Sequence, residues 1–133
     1  MFNDLIIRDG SIQTLTSTSL DKNPTRIGFS FESHIAYYRG LGLSMVETPQ
    51  IWLDGRSVSE QNLSFTYRGV TRRFNELENV TDIRWELGEY ATISVCIPDL
   101  TPGQHILRVN QRLRVSYLPI LSESAYERVI IIF

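Results

Sequence analysis

The sequence predicts an all-β fold, a single antiparallel β-sandwich of jelly-roll or immunoglobulin-like type with about seven to ten strands. Three observations carry that expectation. Apolar residues recur at every second position over long runs, glycine-containing turn pairs separate the runs, and helical periodicity is nearly absent. The 133 residues suffice for one domain with a core of its own, and no repeat or linker divides them, so residues 1–133 read as one sandwich. At most one or two short helical turns fit between the strands.

Taken in order, a short β-rich run stands at Leu5-Ile6-Ile7. From Ile27 the apolar positions are Ile27, Phe29, Phe31, Ile35 and Tyr37, with Arg26, Ser30, Glu32 and His34 between them, which predicts one long half-buried strand. Shorter strands follow at Ile51-Trp52-Leu53, Leu63-Ser64-Phe65-Thr66-Tyr67, Thr71-Arg72-Arg73-Phe74 and Ala91-Thr92-Ile93-Ser94-Val95. Asp9-Gly10, Asp54-Gly55, Arg68-Gly69 and Pro102-Gly103 supply the backbone conformations of tight turns. Asn75-Glu76-Leu77-Glu78 has the pattern of a capping box, with Asn75 as cap, and Ser57-Val58-Ser59-Glu60 offers a second. A second long alternation runs through Leu107, Val109, Leu113, Val115 and Tyr117, leaving Arg108, Arg112 and Arg114 on the opposite face. The carboxyl end departs from this rule. Val129-Ile130-Ile131-Ile132-Phe133 is apolar throughout, which predicts a strand with one face on the core and the second covered by a loop of the same chain, a symmetry mate or another protein.

Composition narrows the function classes. A net charge of −2 without a basic stripe argues against nucleic acid as partner. No apolar run is long enough to span a membrane, no secretory signal is visible at Met1-Phe2-Asn3-Asp4-Leu5, and Cys96 is the single cysteine, all of which favours a reducing cytoplasm. Asn62-Leu63-Ser64 and Asn79-Val80-Thr81 then match the glycosylation tripeptide by chance. Twelve of the thirteen basic residues are arginine, a bias toward planar, bidentate contacts or toward a GC-rich genome.

Catalytic patterns are scarce. The chain has no phosphate loop, paired-cysteine metal site or nucleophile elbow. His34 and His105 read as ordinary surface imidazoles, and only their convergence with a carboxylate such as Glu32 would make a self-sufficient metalloenzyme. Cys96, between Val95 and Ile97, reads as a packed thiol. Two aromatic-arginine clusters say more: Tyr37-Tyr38-Arg39-Gly40 and Arg84-Trp85-Glu86-Leu87-Gly88-Glu89. These residue types anchor protein interfaces, form sugar-stacking platforms, or plug the corners of a sandwich.

The succession Ile35-Ala36-Tyr37-Tyr38-Arg39-Gly40-Leu41-Gly42-Leu43-Ser44, Ile51-Trp52-Leu53-Asp54-Gly55, Arg84-Trp85-Glu86-Leu87-Gly88-Glu89, Pro102-Gly103-Gln104-His105 and Leu113-Arg114-Val115-Ser116-Tyr117-Leu118-Pro119 resembles the small β subunit of bacterial C-glycoside deglycosidases. The resemblance implies a non-catalytic sandwich subunit that pairs with a TIM-barrel α subunit. It places the divalent metal, typically manganese, and the acid-base residues in that partner, with no cofactor and no catalytic residue in this chain. It further implies cleavage of the carbon-carbon bond between sugar and aromatic aglycone in 3-oxo-C-glycosides. On that reading Tyr37, Tyr38, Arg39, Arg84, Trp85, Arg114 and Tyr117 are expected at or near the subunit contact, with Arg39 and Arg114 available to partner carboxylates. The alternative of a different class is a stand-alone carbohydrate-binding or immunoglobulin-like interaction domain.

Overall fold

The computed structural model describes residues 6–18, 24–37, 39–98, 100–115 and 120–133. The strands are β1 (Gln13–Thr18), β2 (Pro24–Ser33), β3 (Leu41–Gly42), β4 (Gln50–Leu53), β5 (Arg56–Ser57), β6 (Leu63–Tyr67), β7 (Val70–Arg72), β8 (Arg84–Trp85), β9 (Ala91–Cys96), β10 (Gly103–Leu113) and β11 (Ser122–Ile132). They form a five-stranded sheet in the order β1-β2-β9-β6-β7, a four-stranded sheet in the order β11-β10-β4-β5, and a two-stranded ribbon of β3 and β8. Every pairing between them is antiparallel, as expected of an all-β sandwich.

The core follows from the alternation. Phe29 and Phe31 of β2, Phe65 and Tyr67 of β6, and Ile93 and Val95 of β9 turn inward from the first sheet. Ile51 and Leu53 of β4, Leu107 and Val109 of β10, and Ile130 and Ile132 of β11 turn inward from the second. Phe65 sits at the centre of an aromatic cluster, with the rings of Trp85 and Phe74 edge-on at 5.4 and 5.5 Å and Tyr67 at 6.3 Å. Such edge-to-face pairs add stabilisation beyond the area they bury.

Several details differ from the pattern. Ile27 does not share the inward face of Phe29, because the β1–β2 register steps from Leu15 opposite Gly28 to Thr16 opposite Arg26. Ile27 is the extra residue of that bulge, which turns its side chain out to 39% exposure. The predicted strand also ends early, at Ser33. Residues 34–37 leave the sheet but stay buried, because Gln111 of β10 reaches across to satisfy their backbone. The Ala36 N–H donates to its Oε1 at 2.5 Å, and its Nε2 donates to the carbonyl of His34 at 3.0 Å.

The two capping expectations are displaced. The 3-10 turn at Phe74–Asn79 is entered through Arg73, whose N–H donates to the Glu76 carboxylate at 3.1 Å, and Asn75 is not the cap. At Glu60–Asn62 the cap is Ser59, two residues after the expected Ser57. Finally, the apolar carboxyl end is covered on one side alone. Ile130 and Ile132 enter the core, while Val129, Ile131 and Phe133 stand 59%, 50% and 82% exposed. Strand β11 lies at the edge of its sheet, and nothing among the described residues covers its outer side chains.

Candidate functional site

The two aromatic-arginine clusters, separated by more than 40 residues in the sequence, meet in the ribbon of β3 and β8. Leu41 pairs with Trp85 and Gly42 with Arg84. Gly40 permits the approach, since a Cβ there would stand 2.7 Å from the Trp85 carbonyl oxygen. The Arg84 guanidinium then donates to the Gly40 carbonyl at 2.7 Å and lies 3.5 Å from the Glu86 carboxylate. Arg114 joins from the end of β10. Its backbone N–H donates to Met45 at 2.7 Å, and its guanidinium lies 3.0 Å from Glu47. Beside it a hollow of about 360 Å³ opens between Ser44, Met45, Glu78, Asn79, Thr81 and Arg114.

The expected contact residues divide by burial. Trp85 is 1% exposed and Tyr37 is buried, so both rings serve the chain's own core, whereas Arg39, Arg84 and Arg114 present their guanidinium groups outward. Tyr38 and Tyr117 lie outside the described residues.

What holds this corner rigid is a hub that the sequence did not announce. Glu89 accepts two hydrogen bonds from Arg68, at 3.0 and 2.9 Å, and a third from the Tyr67 hydroxyl. Arg68 first, and Tyr67 after it, hold the Glu89 carboxyl below the usual carboxylate range. The same hydroxyl accepts from the Glu86 N–H at 2.9 Å, and the Trp85 indole donates to the Glu89 carbonyl at 3.0 Å. Glu89 was visible as part of the charged run after Trp85. Its partner Tyr67 lies 22 residues away, and no local pattern links them.

Both histidines are buried, which corrects the expectation of surface imidazoles. His34 accepts from the Gly88 N–H through Nε2 at 2.7 Å and meets the Ile35 carbonyl through Nδ1 at 2.8 Å. An acceptor on one nitrogen and a donor on the other describe a neutral ring that ties residues 34–37 to the arginine corner. His105 has acceptors on both sides, Asp54 at 2.6 Å and the Thr101 carbonyl at 2.7 Å. Two acceptors call for two donors, which is the imidazolium. The Asp54 bond accordingly raises the His105 pKa, while the Ile106 N–H, followed by His105, lowers that of Asp54.

Each ring is thus committed to its own neighbours. Among the described residues no three or more His, Cys, Asp or Glu side chains gather into a metal-binding group. Cys96 is exposed, a second correction, because it follows the last inward residue of β9 and faces away from the core.

Residues 3–117 match the family model for the C-glycoside deglycosidase beta subunit. A curated relative from Eubacterium cellulosolvens, the "C-glycoside deglycosidase beta subunit", is 27% identical over 93 residues. That alignment covers 69% of this chain and 63% of the relative, so the chain spans less than two thirds of the relative's length.

Proposed function

Because this chain belongs to the C-glycoside deglycosidase beta subunit family, we propose that it is the non-catalytic β subunit of a heteromeric C-glycoside deglycosidase. The observation that carries this reading is the family match over residues 3–117, which includes both arms of the β3–β8 ribbon and the whole of β10. In the proposed complex a TIM-barrel α subunit binds a 3-oxo-C-glycoside and performs the chemistry. The ketone at C3 acidifies the proton on C2, and a base removes it. The electron pair left on C2 then forms the C1–C2 double bond as the bond from C1 to the aglycone breaks, and the departing ring carbon takes up a proton. A divalent metal in the partner, manganese on this reading, would stabilise the enolate. The present chain braces the barrel, in the bacterial cytoplasm, through the corner that presents Arg39, Arg84 and Arg114.

The burial of Trp85 and Tyr37 weighs against the stand-alone glycan-binding alternative, which needs flat rings open to a sugar. No helix among the described residues is long and apolar enough to cross a membrane.

The test is co-expression with the barrel-type protein that this reading expects to be encoded beside this chain, followed by size-exclusion chromatography with mass determination. An assay of a 3-oxo-C-glycoside with manganese completes it. A co-eluting complex that releases aglycone, with neither chain active alone, is expected. A monomer indifferent to the barrel protein would overturn the proposal.

A further inference from the structure

We propose that the larger subunit seats on the outer face of the β4-β10-β11 sheet, along a stripe from Ile131 and Val129 through Ile106 to Arg114. This inference rests on the heteromeric reading above and specifies the surface it uses. Residues 106, 108, 110 and 112 of β10 share the outer face, and Arg114 follows two positions on. At the rise of an antiparallel strand the eight steps from Ile106 to Arg114 span about 27 Å. One end of the stripe therefore reaches the arginine corner.

Its other end is apolar. Ile106 is 47% exposed, directly opposite Val129 at 59%, with Ile131 at 50% two residues further along β11. Single exposed aliphatic residues are normal, but cross-strand neighbours merge into one patch. With Phe133 the patch offers on the order of 400 Å² of apolar surface, in the range of the largest patch on a typical monomer, which is often functional. It also supplies about half of the roughly 800 Å² that each partner buries in a standard interface. The surface is concave as well. A hollow of about 400 Å³ opens beside the patch, bounded by Trp52, Gly55, Ile106, Arg108 and Glu127, with the Arg108 guanidinium 5.3 Å over the Trp52 ring.

The polarity of the stripe decides its occupant. A second copy of this chain, related by a twofold axis, could lie on it in two ways. With the axis along the stripe Arg114 would face Arg114. With the axis across it, the arginine end would cover the aliphatic end and be desolvated there without an acceptor. A different chain can instead offer apolar side chains to Ile106, Val129 and Ile131 and a carboxylate to Arg114. The present partner of Arg114, Glu47 at 3.0 Å, forms a surface pair that is exchanged at little cost, whereas Arg112 is half-buried and stays tied to the Thr48 carbonyl at 3.1 Å.

The experiment is co-expression of the Val129→Glu/Ile131→Glu double variant with the barrel subunit of the proposed complex, read by size-exclusion chromatography with mass determination and by thermal melting of the isolated chain. A folded variant that binds the barrel subunit at least tenfold more weakly than wild type is the expected result. Equal binding by variant and wild type would overturn this surface while leaving the heteromeric reading intact. A wild-type homodimer that the substitutions dissolve, with the heteromer preserved, would assign the face to a second copy and overturn the inference too. Failure of the wild-type chain to bind the barrel subunit would overturn the heteromeric reading itself. If the double variant does not fold, Ile106→Thr/Val129→Thr keeps β-branched side chains in both strands and is read against the same outcomes.

Discussion

Replacing Gly28 with alanine tests the contact that joins the bulged β1–β2 pair to the middle of its sheet. Gly28 has φ of +151°, and a Cβ built there would lie 1.9 Å from the Val95 carbonyl oxygen and 2.9 Å from its carbon. Those atoms belong to the backbone of β9, where Gly28 sits opposite Cys96, so relief requires the sheet itself to part. The backbone conformation costs a non-glycine residue about 1–3 kcal/mol, and forced overpacking of a rigid site costs about 1–3 kcal/mol more. Together these predict a loss of about 4 kcal/mol, a large share of the roughly 5–15 kcal/mol that holds a domain folded. The midpoint of thermal unfolding should then fall by roughly 15 °C for a chain of this size. Urea titration and thermal melting measure the loss directly. Gly55→Ala is the control: φ is +82° and nothing lies within 4 Å of the added Cβ, so backbone strain alone remains, about 1–2 kcal/mol. A Gly28→Ala protein within about 0.5 kcal/mol of wild type, or no worse than Gly55→Ala, would refute the steric reasoning.

The Asp54–His105 pair predicts a pH dependence. The raised folded pKa of His105 contributes stability that is complete below about pH 6.5 and is lost as the pH rises through that raised value, whereas Asp54 contributes above its unfolded value and loses this as the pH falls through its lowered one. Chemical denaturation should therefore show stability declining from pH 6 toward pH 8. Asp54→Asn should flatten that slope and cost about 1–2 kcal/mol at pH 6, a figure reduced because the Asp54 side chain is 48% exposed. Gln111→Ala leaves the Ala36 N–H and the His34 carbonyl buried without their partner and should cost about 2–4 kcal/mol in urea titrations. Trp85→Ala should cost about 3–5 kcal/mol by emptying the aromatic cluster, so its effect on assembly reports unfolding. Arg114→Ala should melt within about 0.5 kcal/mol of wild type, and Arg84→Ala, which leaves the Gly40 carbonyl without its donor, about 1–2 kcal/mol below it; on the proposed interface both weaken co-elution with the barrel subunit.

Much of the candidate site was legible as residue types and little of it as positions. Arg84 and Arg114 stand out in the sequence as arginines beside strand ends, and both do border one corner. Trp85 stands out equally, but a large ring flanked by charges reads the same whether it faces a partner or its own core. The choice was made by Phe65, Tyr67 and the Glu89 carbonyl, which together give the indole a filled and hydrogen-bonded site. His34 and His105 were read as exposed because nothing in their local sequence names an acceptor. Their burial depends on Gly88, Asp54 and Thr101, of which Gly88 and Asp54 are more than 50 positions away in the chain.

The period-two alternation by itself determined the all-β class and the inward faces of β6, β9 and β10, because a strand with one wet face can satisfy only that pattern. The order of segments determined the family. Tertiary structure alone decided that Ile27 turns outward, that the last strand buries Ile130 and Ile132 but leaves Val129 and Ile131 exposed, and that the two aromatic-arginine clusters become neighbours. Periodicity describes one strand, whereas a bulge, an edge and a ribbon corner are each set by hydrogen bonds to another strand far along the chain.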